Sequence, residues 1–236
     1  MVALDWLLRL PLQRCLQSEV RDLLDVPALA GRFGLAEADL PRLGMWIDGS
    51  GVRWGLDREH REGLGLGPAG EQNAWIFGVR RMLLGYASGA DAPFAGIEPY
   101  PEVGGLDAAL AGSLASLVEA LLHWRALLAQ PATPAEWGQR ARDLLRAFFA
   151  PAEERDRLAC AQLERVLQCW LEDCESCGFA EPVPLAVLRE AWLGAIDEPS
   201  LDRRFVSGGV TFCTLMPMRA VPFQVVCLLG MNDGDF

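Results

Sequence analysis

The sequence has no lysine: all 21 of its basic residues are arginine, and only two histidines accompany them. A phosphate-binding G-x-x-x-x-G-K-[ST] loop needs a lysine, so none can exist here. No apolar run approaches the roughly 18–20 residues that span a bilayer, although the mean hydropathy is +0.16. The opening Met1–Pro11 is briefly apolar, but Asp5 and Arg9 interrupt it and no small-residue cleavage site follows. The expectation is a soluble, cytoplasmic protein. A basic excess is missing as well: 32 acidic residues oppose the 21 arginines, a net charge of −11. Phosphate neutralisation supplies most non-specific nucleic-acid affinity, so this balance argues against an autonomous DNA-binding domain.

What is present is core-forming material. The 236 residues are 51% hydrophobic, enough to bury a core in one large domain or two small ones. The acid is concentrated: residues 153–198 hold eleven acidic and four basic side chains, a balance of −7. Any DNA contact should therefore come from elsewhere in the chain or from a larger assembly. The cysteine count, seven, is odd and fits reduced thiols. Cys174-Glu-Ser-Cys177 is the only CxxC, and His60 and His123 lack ligand spacing, so no metal site is expected. Leu163, Val166, Trp170, Cys174 and Cys177 instead share one helical face ahead of a Gly178 stop, which favours core packing over metal or redox chemistry.

Helical spacing dominates the first 200 residues. Ser18 is placed to cap a short helix through Leu24, Pro27 suits the first turn of the next, and residues 36–48 predict another. After a break at Gly49-Ser-Gly51, residues 58–74 read as a polar, glycine-rich loop. Trp75, Val79, Met82 and Tyr86 then repeat as an amphipathic helix would. Leu110, Leu114, Leu117, Leu121, Trp124 and Leu128 make a longer stripe. Thr133-Pro-Ala-Glu136 is a capping box opening a helix to about Phe149, with Trp137, Ala141, Leu144, Leu145 and Phe148 facing inward. The acidic cysteine-bearing helix and one from Pro184 to about Ile196 complete an all-α array.

Little in this array suggests catalysis. Gly65-Leu-Gly67-Pro-Ala-Gly70 formally fits GxGxxG, yet a charged stretch precedes it and Pro68 lies inside it, so it reads as a connector. His60 has acids nearby but no Ser or Cys at a nucleophile elbow, and reads as a solvated loop histidine. His123 reads as a helix-surface residue. Arg80-Arg81 and Arg140, Arg142 and Arg146 are candidate phosphate contacts, though three arginines on one helix more often form a solvated face. No catalytic, cofactor-binding or metal-binding set emerges.

The texture changes near residue 203. Val210–Leu215 is β-prone, and Phe223–Leu229 is nearly continuous apolar, as in a strand covered on both faces of an α/β sheet. Residues 209–236 resemble motif V of UvrD-like superfamily 1 helicases. Thr214, Leu215, Phe223, Val226 and Gly230 keep that motif's frame. Met216 stands at its His position, Arg219 at the Lys, Ala220 at the Gly and Pro222 at the Glu. The frame survives without the polar groups that would hold a nucleotide. With Ser18–Pro27, Val52–Asp57 and Phe77–Ala87, this altered motif resembles the RecC-like gamma subunits of exodeoxyribonuclease V, as an internal stretch of a longer subunit.

That resemblance implies a fold and a role. Residues 1–202 would be the all-α accessory domain inserted in a helicase scaffold. Residues 203–236 would be an incomplete, two-strand segment of its α/β, RecA-like core. RecC-like subunits are helicase-shaped parts of the RecBCD helicase–nuclease without catalysis of their own. The expected role is to scaffold and guide strands during double-strand-end processing, with RecB-like and RecD-like partners and without a cofactor. Thr214 and Arg219 sit where helicase motif V approaches the strand and are the candidate DNA contacts; the plainer reading is a strand end and a surface ion pair. A stand-alone helical interaction module and an active superfamily 1 helicase are the alternatives.

Overall fold

A computed structural model describes residues 2–89, 93–197 and 225–227. The chain divides into two units, Met1–Glu198 and Pro199–Phe236. The first is helical. It contains α1 (Val2–Leu7), α2 (Gln17–Leu24), α3 (Pro27–Arg32), α4 (Leu40–Gly49), α5 (Arg58–Gly63), α6 (Trp75–Ser88), α7 (Ala108–Leu128), α8 (Pro134–Phe148), α9 (Glu154–Ser176) and α10 (Leu185–Asp197).

α7 is the axis of the unit. Its six stripe residues, Leu110 to Leu128, are all buried, and it packs against α6 and the 3₁₀ turn Leu10–Leu12. The next helix starts where the capping box places it: Glu136 N–H donates to Thr133 Oγ1 (3.3 Å), and Thr133 N–H donates to the Glu136 carboxylate (2.8 Å). α8 buries Trp137, Ala141, Leu144 and Phe148 between α3 and α9, with Leu145 half-buried. Two tryptophans pin helices to carbonyls as well as filling space. Trp137 Nε1 donates to the Val183 carbonyl (2.8 Å), and Trp192 Nε1 donates to that of Leu163 (2.9 Å). Arg189 of α10 reaches Asp5 of α1 at 2.7 Å, closing the unit's two ends. α9 stops as its sequence directs. Gly178 has φ +65°, Phe179 N–H donates to the Cys174 carbonyl and Gly178 N–H to that of Glu175, the paired bonds of a left-handed stop.

Five expectations need correction. Ser18 lies inside α2 rather than capping it; the cap position is Leu16, whose N–H is taken by the Glu19 carboxylate (2.8 Å). Residues 36–48 form a 3₁₀ turn, Glu37–Asp39, before α4 begins at Leu40, because Pro41 favours a fresh first turn. Tyr86 is exposed and Gly85 faces inward instead. A Cβ at Gly85 would fall 1.7 Å from the Tyr100 carbonyl oxygen, so only glycine lets the chain cross there. Residues 58–74 are no solvated loop, for they contain α5 with His60 and Arg61 buried. Finally, α9 buries Leu163 and Leu167, leaves Cys174 half-buried and exposes Cys169 and Cys177. Its last turn extends beyond the neighbours that cover its middle.

The expected strand Val210–Leu215 lies outside the described residues. Of Phe223–Leu229 only Val225–Cys227 is described, without regular structure and with both valines exposed. A strand needs a neighbour for its backbone groups, and these three have none among the described residues.

Candidate functional site

The candidate DNA contacts Thr214 and Arg219 lie outside the described residues. The five candidate arginines within them are engaged by the protein itself. Arg80 pairs with Glu71 (2.6 Å), and Arg81 donates to the carbonyls of Ser50 (2.8 Å) and Glu98 (2.9 Å). Arg140 lies over the Trp137 ring and donates to the carbonyls of Leu127 and Gln130 at the end of α7, which the helix dipole favours. Arg142 pairs with Glu164 (2.8 Å), and Arg146 with Asp143 (3.1 Å). These side chains fix helix ends and helix pairs, so they offer no row of free cations to phosphate.

The densest polar arrangement lies around α5, where three connectors cross. Gly55 N–H donates to the Arg14 carbonyl, Gln17 N–H to that of Arg53, Arg53 N–H to that of Asn73, and Trp75 N–H to that of Gly55, all at 2.9 Å. Asp57 caps α5 by accepting from His60 N–H (2.7 Å). That cap aims the next side chains into the crossing. Arg61 is 1% exposed and serves four carbonyls. Its Nη2 donates to Trp54 (2.7 Å), and its Nη1 to Gln72 (2.6 Å), Gly70 (2.9 Å) and Ala69 (3.3 Å). The guanidinium also stacks 4.3 Å over the Trp54 ring. No carboxylate lies within ion-pair range of it among the described residues, so burial pushes its pKa down while the charge of Glu71 opposes that.

This geometry disposes of the glycine-rich motif. A phosphate loop points N–H groups at its ligand. Here the turn Gly67–Ala69 and its neighbours point carbonyls inward at a cation. The loop is a cradle for Arg61.

His60 is fully buried and its tautomer is set by the main chain. Leu56 N–H can only donate, so Nδ1 accepts from it (3.0 Å), and Nε2 therefore carries the proton and donates to the Gln13 carbonyl (2.9 Å). Burial and the charge of Arg125 hold the imidazole below its usual pKa, outweighing the raising effects of Gln13 and Asp57. Cys15 lies nearby in the left-handed region (φ +51°), and its carbonyl accepts from Trp75 Nε1 (2.9 Å). Burial pushes its thiol up to about 12. A protonated thiol and a histidine with both nitrogens engaged cannot act as nucleophile and base. The arrangement locks connectors together.

Sequence reasoning placed His123 correctly on the exposed face of α7 and misplaced His60. The available signal was Asp57 three residues before His60, a cap spacing that starts a helix inside an otherwise polar stretch. Among the described residues no group of three His, Cys, Asp or Glu side chains could hold a metal ion, and no helix is long and apolar enough to cross a membrane.

Comparison with known proteins places this architecture. Residues 1–200 match the family described as RecBCD enzyme subunit RecC fourth domain, a span that takes in the whole helical unit. Over 98% of the chain, the sequence is 44% identical to the RecBCD enzyme subunit RecC of Escherichia coli. Identity is 33% to the subunit of the same name from Haemophilus influenzae, over 98% of the chain, and 33% to that of Mycobacterium tuberculosis, over 94%. The chain spans about a fifth of the length of each of these relatives.

Proposed function

The chain belongs to the RecC family, and from that premise we propose that it is the helical unit of a RecC-type subunit, scaffolding and guiding DNA strands during double-strand-end processing and recombinational repair. In this reading the working entity is an exodeoxyribonuclease V assembly in the cytoplasm, with RecB-like and RecD-like subunits as partners and DNA reached through the complex. The chain itself supplies no catalysis and takes no cofactor. Residues 203–236 are, in this reading, an incomplete α/β helicase-like core segment whose degenerate motif V carries the candidate DNA contacts Thr214 and Arg219.

The observation that carries this proposal is the family match across the helical unit. The internal engagement of Arg140 and Arg142 supports it, since a scaffold spends cations on helix geometry where an autonomous DNA binder would present them. The helicase alternative lacks any lysine for a phosphate loop. The test is a chimera in which residues 1–236 replace the matched stretch of the Escherichia coli subunit, in cells deprived of their own. Recovery of RecB and RecD with the chimera, together with unwinding and degradation of linear duplex ends, is the expected result. A chimera that assembles yet leaves ends intact overturns strand guiding, and DNA-stimulated ATP hydrolysis by the isolated chain revives the helicase.

A further inference from the structure

The CxxC of α9 does not pack into the core. Cys174 is half-buried and Cys177 is exposed, beyond the neighbours that cover Leu163 and Leu167. The two thiols stand three residues apart at the end of a 23-residue helix, a spacing that makes side chains neighbours. Backbone hydrogen bonds fix both positions. Cys177 N–H donates to the Asp173 carbonyl (3.2 Å), and Phe179 N–H to that of Cys174 (2.8 Å). Cys177 keeps right-handed dihedrals (φ −87°, ψ −2°), so helical spacing extends through both residues. Burial, the charge of Asp173 and the nearness of Cys177 push the Cys174 thiol up, and the last of these marks the sulfurs as a pair.

Spacing decides what such a pair can take. On a helix, Cβ atoms three residues apart lie about 5–6 Å from each other, whereas a disulfide needs about 3.5–4.5 Å. A direct S–S bond would therefore pull the last turn out of shape. Two thiolates bridged by an ion have a wider span. Each metal–thiolate bond is about 2.3 Å, so an in-line, two-coordinate ion sets the sulfurs about 4.6 Å apart, which helical neighbours reach. Zinc takes four ligands and calcium or magnesium six or more, but no third His, Cys, Asp or Glu joins the pair among the described residues. Soft thiolates select Cu(I), an ion satisfied by two of them. The surroundings attract a cation: Glu172, Asp173 and Glu175 are exposed on the same turn, at the carbonyl-rich end of the helix dipole.

We propose that Cys174 and Cys177 bind one Cu(I) ion as a two-coordinate bis-thiolate clip on the last turn of α9. Binding exchanges protons for the ion. Two S–H groups and Cu(I) give a singly negative S–Cu–S bridge and two protons released to water, with no change of oxidation state. The pair plays no part in the proposed strand-guiding role, so either reading can fail alone.

The test titrates the full chain, reduced and kept free of oxygen, against Cu(I) held by bathocuproine disulfonate, whose visible band fades as the protein takes the ion. One tightly held Cu(I) per chain is expected, with the chain monomeric on gel filtration. Cys177→Ser leaves a single thiol and should lose about 10²–10⁴ in affinity, because the second thiolate then no longer binds from within the same molecule. Cys174→Ser should do the same. The control Cys169→Ser removes another exposed thiol of α9 and should leave affinity unchanged. Equal losses in Cys169→Ser and Cys177→Ser would reduce the effect to capture by any thiol and overturn the proposal. An ion shared between two chains, or no uptake from the chelator, would also overturn it. Circular dichroism keeps folding separate. Should Cys174→Ser melt lower than the parent, the exposed Cys177→Ser decides alone, and unchanged affinity there overturns the proposal.

Discussion

Two regions of this unit solve the same problem in opposite ways. α7 and α8 are each seated by periodic apolar burial, Leu110 to Leu128 along α7 and Trp137 to Phe148 along α8. The α5 crossing holds its connectors with a buried cation whose hydrogen bonds all end on main-chain carbonyls. Dispersion and hydrophobic burial are not directional, so the first region depends on volume and tolerates a change of shape. A guanidinium offers five N–H donors in a fixed fork, so the second depends on direction. Removing it leaves several buried acceptors unpaired at once, which in a core costs more than the lost contacts alone.

The largest expected effect breaks the polar region. Arg61→Ala should destabilise the unit by about 3–5 kcal/mol, read from the urea midpoint, because four carbonyls lose their donor. Arg61→Lys should recover little of that, since three donors on a flexible stem cannot span Trp54 and Gln72 together. If Arg61→Met, matched roughly in volume, were as stable as the parent, the contrast between the regions would collapse.

The apolar counterpart is Leu121→Ala in the fully buried stripe, expected to cost about 2–5 kcal/mol according to how far the elements packed on α7 relax into the cavity. The shape-tolerant swap Leu121→Met should cost less than about 1.5 kcal/mol. A Leu121→Met loss as large as that of Leu121→Ala would mean that α7 packs by shape as strictly as Arg61 bonds by direction.

The same contrast explains what could be read in advance. The α7 stripe and the Thr133–Glu136 box are local patterns, and their spacing alone fixed helix, face and start. The Gly178 stop was legible for the same reason. The crossing was not, because its bonds join residues 13–17, 53–57 and 69–76, and nothing in the spacing of polar residues shows that distant carbonyls will converge on one arginine. Glycine and charge in residues 58–74 looked like solvation when their use was a close-fitting carbonyl cradle. Gly85 misled in a related way: the face containing Tyr86 fits the period, but the chain at Tyr100 needs the space a side chain would fill. The motif V candidates Thr214 and Arg219 came from a resemblance and remain a proposal to be tested in the assembled complex.

The smallest effect sharpens the comparison by titration. His60 belongs to the polar region, and a proton on Nδ1 would displace the Leu56 N–H bond while adding charge to a site already facing Arg61 and Arg125. Its folded pKa therefore lies below the ordinary value of about 6.5, whereas the unfolded chain titrates near that value. Between the two, the unfolded state binds more protons, so stability rises with pH across the window. The contribution is fully present above about pH 6.5 and is lost as pH falls through the folded pKa. Urea midpoints measured from about pH 7.5 down to 5.5, above the range where ordinary carboxylates titrate, should fall in the parent. His60→Gln should flatten that slope. An equal slope in parent and His60→Gln would place the titrating group elsewhere. It would also remove the imidazole from the set of buried groups that make the crossing sensitive where the leucine stripe is not.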